Sequence, residues 1–145
     1  MPIKIWNLIT KKEVMTLNIH DDDVNDIAFS PDGKYIASSS SDGTVKILDI
    51  INNKIDVLET LESNENEINY PLCLEYSPDG KYLAFSSDES GDNNVYIVPT
   101  SGGEVEQLTF SDASDIPASW SSDSRNIYIE SNRYNSVTTY RISLK

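Results

Sequence analysis

The stretch Ser30-Pro31-Asp32-Gly33-Lys34-Tyr35 decides how the rest of the chain is read, because it recurs 47 residues later as Ser77-Pro78-Asp79-Gly80-Lys81-Tyr82. A degraded third copy, Ser121-Ser122-Asp123-Ser124-Arg125-Asn126, follows after a further 44 residues. The hexapeptide has the chemistry of a tight turn. Proline presets φ, the aspartate side chain can bond the backbone ahead of it, and glycine accepts positive φ. Short apolar, β-prone runs flank each copy. Ile27-Ala28-Phe29, Leu74-Glu75-Tyr76 and Ala118-Ser119-Trp120 come before the turns. Tyr35-Ile36-Ala37, Tyr82-Leu83-Ala84-Phe85 and Ile127-Tyr128-Ile129 come after them. Two such runs around such a turn make a hairpin.

A third strand is expected after each hairpin, at Thr44-Val45-Lys46-Ile47-Leu48, Val95-Tyr96-Ile97-Val98 and Val137-Thr138-Thr139-Tyr140. A fourth is expected before each, at Val14-Met15-Thr16-Leu17, Ile55-Asp56-Val57-Leu58 and Val105-Glu106-Gln107-Leu108. Four short antiparallel strands per repeat of this length is the period of a β-propeller blade. The expected fold is therefore all-β, with about three blades of four antiparallel strands. Composition agrees. Ser, Asn and Asp fill 47 of the 145 positions, and these are turn formers that sit poorly inside helices. No helix is expected; 58–69 reads as a strand end followed by an acidic loop.

Residues 20–50 resemble a WD repeat: His20, a strand, Ser30-Pro31-Asp32-Gly33-Lys34, a strand, then Ser41-Asp42-Gly43-Thr44-Val45-Lys46-Ile47-Leu48-Asp49. The opening Ile3-Lys4-Ile5-Trp6-Asn7 is similar to the end of an earlier repeat. Residues 72–133 resemble the related TolB-type propeller repeat, with Gly102-Gly103, Gln107-Leu108-Thr109 and Pro117-Ala118-Ser119-Trp120-Ser121 following the second turn. The resemblance divides the chain into 1–12 (end of a preceding repeat), 13–50 (WD-like), 54–98 (TolB-like) and 104–142 (degenerate TolB-like). It also implies a hydrogen-bonded structural cluster of His20, Asp42 and a hydroxyl from Ser38, with Ser40 the alternative. Leu48 stands where the WD tetrad has its tryptophan, so the indole end is missing.

A propeller needs at least four blades to close. The expectation is thus an incomplete propeller, belonging to a larger one or completed by oligomerisation. Two copies could close a six-bladed ring head to tail, with 13–17 of one completing the blade 116–142 of the other.

The chain carries 24 acidic against 11 basic residues, a net charge of −13. That balance opposes nucleic-acid binding, which needs a basic surface. No apolar run approaches the roughly 18 residues that span a membrane. The N-terminal stretch lacks the apolar core of a signal peptide, and the single Cys73 makes no intrachain disulfide. A cytoplasmic protein with no membrane or nucleic-acid partner is expected.

In propellers the loops joining repeats, and those before each third strand, share one face. Here those loops carry 12 of the 24 acidic residues, against Arg133 and His20. Such a face suits a basic protein or peptide, with association steered by charge and weakened by salt. The expected contacts are Asp21, Asp22, Asp23, Asp88, Glu89, Asp92 and Asp115, with the loop aromatics Tyr70 and Tyr134 as anchors. Neither Asp21-Asp22-Asp23 nor Asp88-Glu89-Ser90-Gly91-Asp92-Asn93 fits the calcium-loop pattern; no metal and no cofactor are expected. His20, Ser38 and Asp42 meet the residue types of a hydrolase triad, but the resemblance makes them buried structure. No G-x-S-x-G elbow or phosphate loop is present. The expectation is a non-catalytic protein-interaction scaffold. The alternative is a fragment of the propeller domain of a TolB-like or serine-peptidase-associated protein, gating or binding peptides without itself being catalytic.

Overall fold

The computed structural model describes residues 2–50, 56–61, 71–88 and 92–144. They form thirteen strands in four antiparallel sheets, together with one 3-10 turn at Arg133–Asn135. The first sheet pairs β1 (Ile3–Asn7) with β2 (Lys12–Leu17). The second runs β3 (Val24–Phe29), β4 (Tyr35–Ser40), β5 (Val45–Asp49), β6 (Asp56–Leu61). The third runs β7 (Leu72–Tyr76), β8 (Tyr82–Ser87), β9 (Asn94–Pro99), β10 (Glu106–Gln107). The fourth has three strands, β11 (Asp115–Trp120), β12 (Asn126–Ser131) and β13 (Thr138–Ser143). In each of the first three sheets the outermost strand thus lies just before the next hairpin in sequence. No strand of the first sheet pairs with the last among the described residues, and the array is open.

The turns build the hairpins as their chemistry requires. Ser30 Oγ donates to Asp32 Oδ1 at 2.7 Å, and the same carboxylate oxygen accepts the Lys34 N–H at 3.1 Å. Ser30 Oγ in turn accepts the Tyr35 N–H at 2.9 Å. The second turn repeats these bonds at 2.7, 3.1 and 3.0 Å through Ser77, Asp79, Lys81 and Tyr82. The third, though degraded in sequence, keeps them at 2.6, 3.1 and 2.9 Å through Ser121, Asp123, Arg125 and Asn126. What it lost is the proline and the glycine, not the serine–aspartate pair. Gly33 and Gly80 sit at φ 70° and 72°, and Ser124 takes the same left-handed position at φ 59°.

Packing lies between the sheets, and the middle strands serve two neighbours at once. Successive side chains of a strand point to opposite faces. On β4, Ile36 joins Ile3, Leu17 and Leu48 under the first sheet, while Ala37 joins Val45 and Ile47 against Leu74, Leu83 and Phe85 of the third. On β8, Ala84 faces the other way, packing with Val95 and Ile97 against Trp120, Ile127 and Ile129. Each innermost strand carries a bulge: the register shifts at Val24/Asp26, Leu72/Leu74 and Pro117/Ser119. The second bulge seats Cys73 at φ 38°, half-buried rather than fully enclosed in a regular strand. Burial, then the charge of Asp26, pushes its thiol pKa up. That makes it a poor nucleophile. Asp26 Oδ2 accepts the Leu74 N–H at 2.7 Å, tying the second sheet to the third.

The two ends of the stack differ. Phe29 and Ile27 are 60% and 45% exposed, whereas Tyr76 and Trp120, which stand where Phe29 does in the later sheets, are 8% and 9% exposed. The two-stranded first sheet leaves Phe29 and Ile27 of its neighbour uncovered among the described residues. At the far end, the positions filled by Ala37, Ile47, Ser39 and Val45 in the second sheet, and by Ala84, Ile97, Ser86 and Val95 in the third, hold Tyr128, Arg141, Glu130 and Thr139.

A Cβ built on Gly33 meets nothing within 4 Å, so Gly33→Ala carries only the left-handed backbone cost. Its urea-unfolding free energy should fall by about 1–2 kcal/mol with an unchanged m-value. A larger loss, or a changed m, would show that the turn does more than reverse the chain.

Candidate functional site

Beneath the first loops lies a closed polar cluster. His20 Nδ1 is 2.9 Å from Asp42 Oδ2 and its Nε2 is 2.8 Å from Ser38 Oγ. Ser40 Oγ instead accepts the Asp42 N–H at 3.1 Å. Thr44 completes the cluster: its Oγ1 donates to Asp42 Oδ1 at 2.6 Å and lies 3.1 Å from His20 Nδ1. Asp42 also accepts the N–H groups of Asp21 and Thr44, both at 3.0 Å. Sequence reasoning missed Thr44, although an aspartate two residues before a threonine in a turn is a signal for such a bond. It also missed Lys46, whose Nζ donates to Ile19 O at 2.6 Å beside the cluster.

Burial pushes the Asp42 carboxyl up, but bonds from Thr44 Oγ1, the Asp21 N–H, His20 and the Thr44 N–H outweigh it and hold it well below the usual carboxylate range. For His20 burial wins: it holds the imidazole below its ordinary value of 6.5 against the pull of Asp42. A neutral ring that donates from Nδ1 to Asp42 and accepts at Nε2 from the Ser38 hydroxyl satisfies all three groups. The order Ser38–His20–Asp42 matches that of a hydrolase triad, but the Ser38 and His20 side chains are fully buried, so no substrate carbonyl reaches the hydroxyl. The cluster instead fastens the loop 18–23 to the turn 41–43.

The loops above it form two knitted groups. In the first, Ser41 N–H donates to Asp23 O at 2.9 Å, and Asp21, Asp22 and Asp23 lie exposed on the surface. In the second, the Asp115 N–H donates to Asn93 O at 2.7 Å and the Ser114 N–H to Asn132 Oδ1 at 2.9 Å. Asp88 and Asp92 are half-buried there, and the buried Oδ1 atoms of Asp88 and Asn93 lack donors among the described residues. Tyr134 is 92% exposed and takes φ 59° in the 3-10 turn. Tyr70 and Glu89, expected as contacts, lie outside the described residues.

Asp115 corrects the expectation. It is fully buried and cannot be a surface contact. Its Oδ2 accepts Arg133 Nη2 at 2.6 Å and Ser111 Oγ at 2.9 Å. Burial pushes its carboxyl up, and the bonds from Arg133, Ser131 and Ser111 bring it below its ordinary value. Arg133 also lies over the Tyr140 ring, 5.1 Å from its centroid. The pair removes one charge of each sign from the face. Among the described residues no three His, Cys, Asp or Glu side chains converge as metal ligands, and no helix is long and apolar enough to cross a membrane.

A family profile described as the TolB beta propeller domain matches residues 2–145. The chain belongs to that family. Among solved structures, TolB from Acinetobacter baumannii superposes with a TM-score of 0.68 and 20% identity, over 99% of this chain and 35% of that one. The tricorn protease superposes at 0.66 and 17% identity, over 91% of this chain and 13% of that one. These likenesses concern the fold. Curated relatives are similar over short stretches: Lissencephaly-1 homolog 1 of Paramecium tetraurelia is 44% identical over 45 residues, 31% of this chain and 11% of that protein. A guanine nucleotide-binding protein subunit beta of Zea mays is 37% identical over 49 residues, 33% of this chain and 13% of that protein. The propeller domain thus spans about an eighth of these curated relatives and about a third of the TolB structure.

The cluster makes stability depend on pH with a definite sign. His20 binds a proton more weakly folded than unfolded, so its contribution is full above the unfolded pKa and is lost as pH falls below it; Asp42 behaves likewise in the carboxylate range. The urea midpoint should drop as pH is lowered from about 7.5 to about 5.5, and His20→Gln should flatten that part of the profile. An equally steep profile in the variant would remove His20 from the account. Asp42→Ala, which strands His20 and Thr44, should cost about 2–4 kcal/mol of unfolding free energy.

Proposed function

We propose that this propeller domain is a non-catalytic protein-interaction module that binds a basic protein or peptide through its acidic loop face. The observation that carries the reading is the exposed Asp21-Asp22-Asp23 loop, held by Asp42 and His20, on a face whose Arg133 is already bonded to Asp115. A preformed acidic loop loses little conformational entropy on binding, and its charge attracts a cation over several ångströms at low salt. The net charge of −13 argues against a phosphate backbone as partner. Ring completion by a second copy is not part of this reading. It would require β2 to leave β1, its partner here, and would set Tyr128, Glu130 and Arg141 against an apolar end.

A second reading has the domain within a longer propeller that gates peptides beside a hydrolase. The tricorn likeness supports it for the fold only. A neighbouring reading frame encoding G-x-S-x-G would favour it.

The test is calorimetric titration with a Lys/Arg-rich peptide at low and high salt. Asp21→Asn, Asp22→Asn and Asp23→Asn combined should weaken binding about tenfold or more and flatten its salt dependence. Unchanged affinity removes this loop from the interface.

A further inference from the structure

On the opposite end of the sheets, between the first and second serine–aspartate turns, lies a cavity of about 490 Å³. Pro31, Tyr35 and Pro78 form apolar walls, and Asp32 and Asp79 line it as well. Tyr76 also lines it; that residue is 8% exposed, and its buried hydroxyl has no hydrogen-bond partner among the described residues. The next junction along the stack is built from the same positions and is tied by contacts that this one lacks. There Trp120 replaces Tyr76, donates Nε1–H to Glu75 O at 3.3 Å and stacks on Tyr82 at 6.5 Å. Ser124 replaces Gly80, and its Oγ accepts the Asp79 N–H at 3.1 Å. Gly80 has no side chain to bond the first turn in this way. The open cleft and the orphaned phenol therefore follow from two residue choices, a tyrosine and a glycine.

Both carboxylates are ionised, because bonds from Ser30 and Ser77 hold them below their ordinary values. Their ion pairs with Lys34 and Lys81, both at 3.3 Å, are exposed. Such surface pairs contribute little and yield to a competing cation. Burial, then the nearby Asp32 and Tyr35, pushes the Tyr76 phenol up to about 12, so it remains an O–H group. We propose that this cleft is a binding site for a guanidinium group on an aliphatic stem. The stem lies on Pro31, Pro78 and Tyr35, and the planar fork bonds the carboxylates of Asp32 and Asp79 and the hydroxyl oxygen of Tyr76. A guanidinium presents five N–H donors in fixed directions and reaches a carboxylate and a hydroxyl together; an ammonium is a compact, strongly hydrated charge and does so less well. The site lies away from the acidic loop face and does not depend on that reading.

The test is an NMR titration of the ¹⁵N-labelled chain with Nα-acetylarginine amide, its lysine counterpart, and a nine-residue peptide with one arginine between prolines. The arginine probe should shift amides of 30–35 and 76–80 saturably and bind more tightly than the lysine probe. Tyr76→Phe should weaken it about fivefold, the worth of one hydrogen bond. Gly80→Ser should abolish the shifts and keep the fold. A Cβ at Gly80 meets only Pro31 Cδ at 3.8 Å, and Ser124 already occupies the equivalent backbone position. The loop variant at 21–23 should bind as the parent does. A tighter peptide identifies a protein ligand; equal affinities identify a small guanidinium compound. Absence of saturable shifts at the cleft, equal affinity for lysine, or binding untouched by both Tyr76→Phe and Gly80→Ser overturns the proposal.

Discussion

The stack depends on two middle sheets that are apolar on both faces. A single four-stranded sheet of this kind cannot hide Ile36 and Ala37 at once, since they point in opposite directions from one strand. Only stacking between two neighbours removes both from water, and burial of apolar area is the main favourable term in folding. The stagger of sequence and sheet follows from the same need. Each of the first three sheets takes its outer strand from the stretch that leads into the next hairpin, so the backbone links neighbours where side chains pack them. Hydrogen bonds that cross between sheets, such as Asp26 to Leu74 and Asp79 to Ser124, then fix how far one sheet can slide on the next.

The fold was legible because its signals are local. A Pro-Asp-Gly turn between β-prone runs names a hairpin on its own, and three copies at blade spacing name the architecture. The third turn shows why the pattern survives decay: its geometry rests on Ser121 and Asp123, which remained, rather than on the proline and glycine, which did not. The bulges were not legible. Nothing in Asn25, Cys73 or Ala118 marks them, because a bulge is set by the twist and register of two strands together. The site was legible in part for the same reason. His20, Ser38 and Asp42 carry a recognisable order, whereas Asp115 looks in sequence like any loop carboxylate. Only the arrival of Arg133 from another strand connection makes it a buried ion.

The acidic residues therefore divide into two kinds. Those of Asp42 and Asp115 are spent inside, each held by more than one donor, and they stiffen the loops that surround them. Those at Asp21 to Asp23 stay outside and shape the field. A carboxylate in the first group helps the second, since it lowers the freedom of the loop on which the exposed charges ride. The histidine cluster has the bonding order of a hydrolase and the burial of a rivet, and burial decides which of these it is.

The unlike ends of the stack give it a direction. At one end Phe29 and Ile27 offer an unfinished apolar surface; at the other, Tyr128, Glu130 and Arg141 replace the small and branched residues on which a further sheet would seat. The two outer faces of the stack therefore ask for unlike neighbours, an apolar one at Phe29 and Ile27 and a polar one at Glu130 and Arg141. Copies stacked end on end would set Glu130 and Arg141 against Phe29 and Ile27, a desolvation cost that comes from a single strand pair.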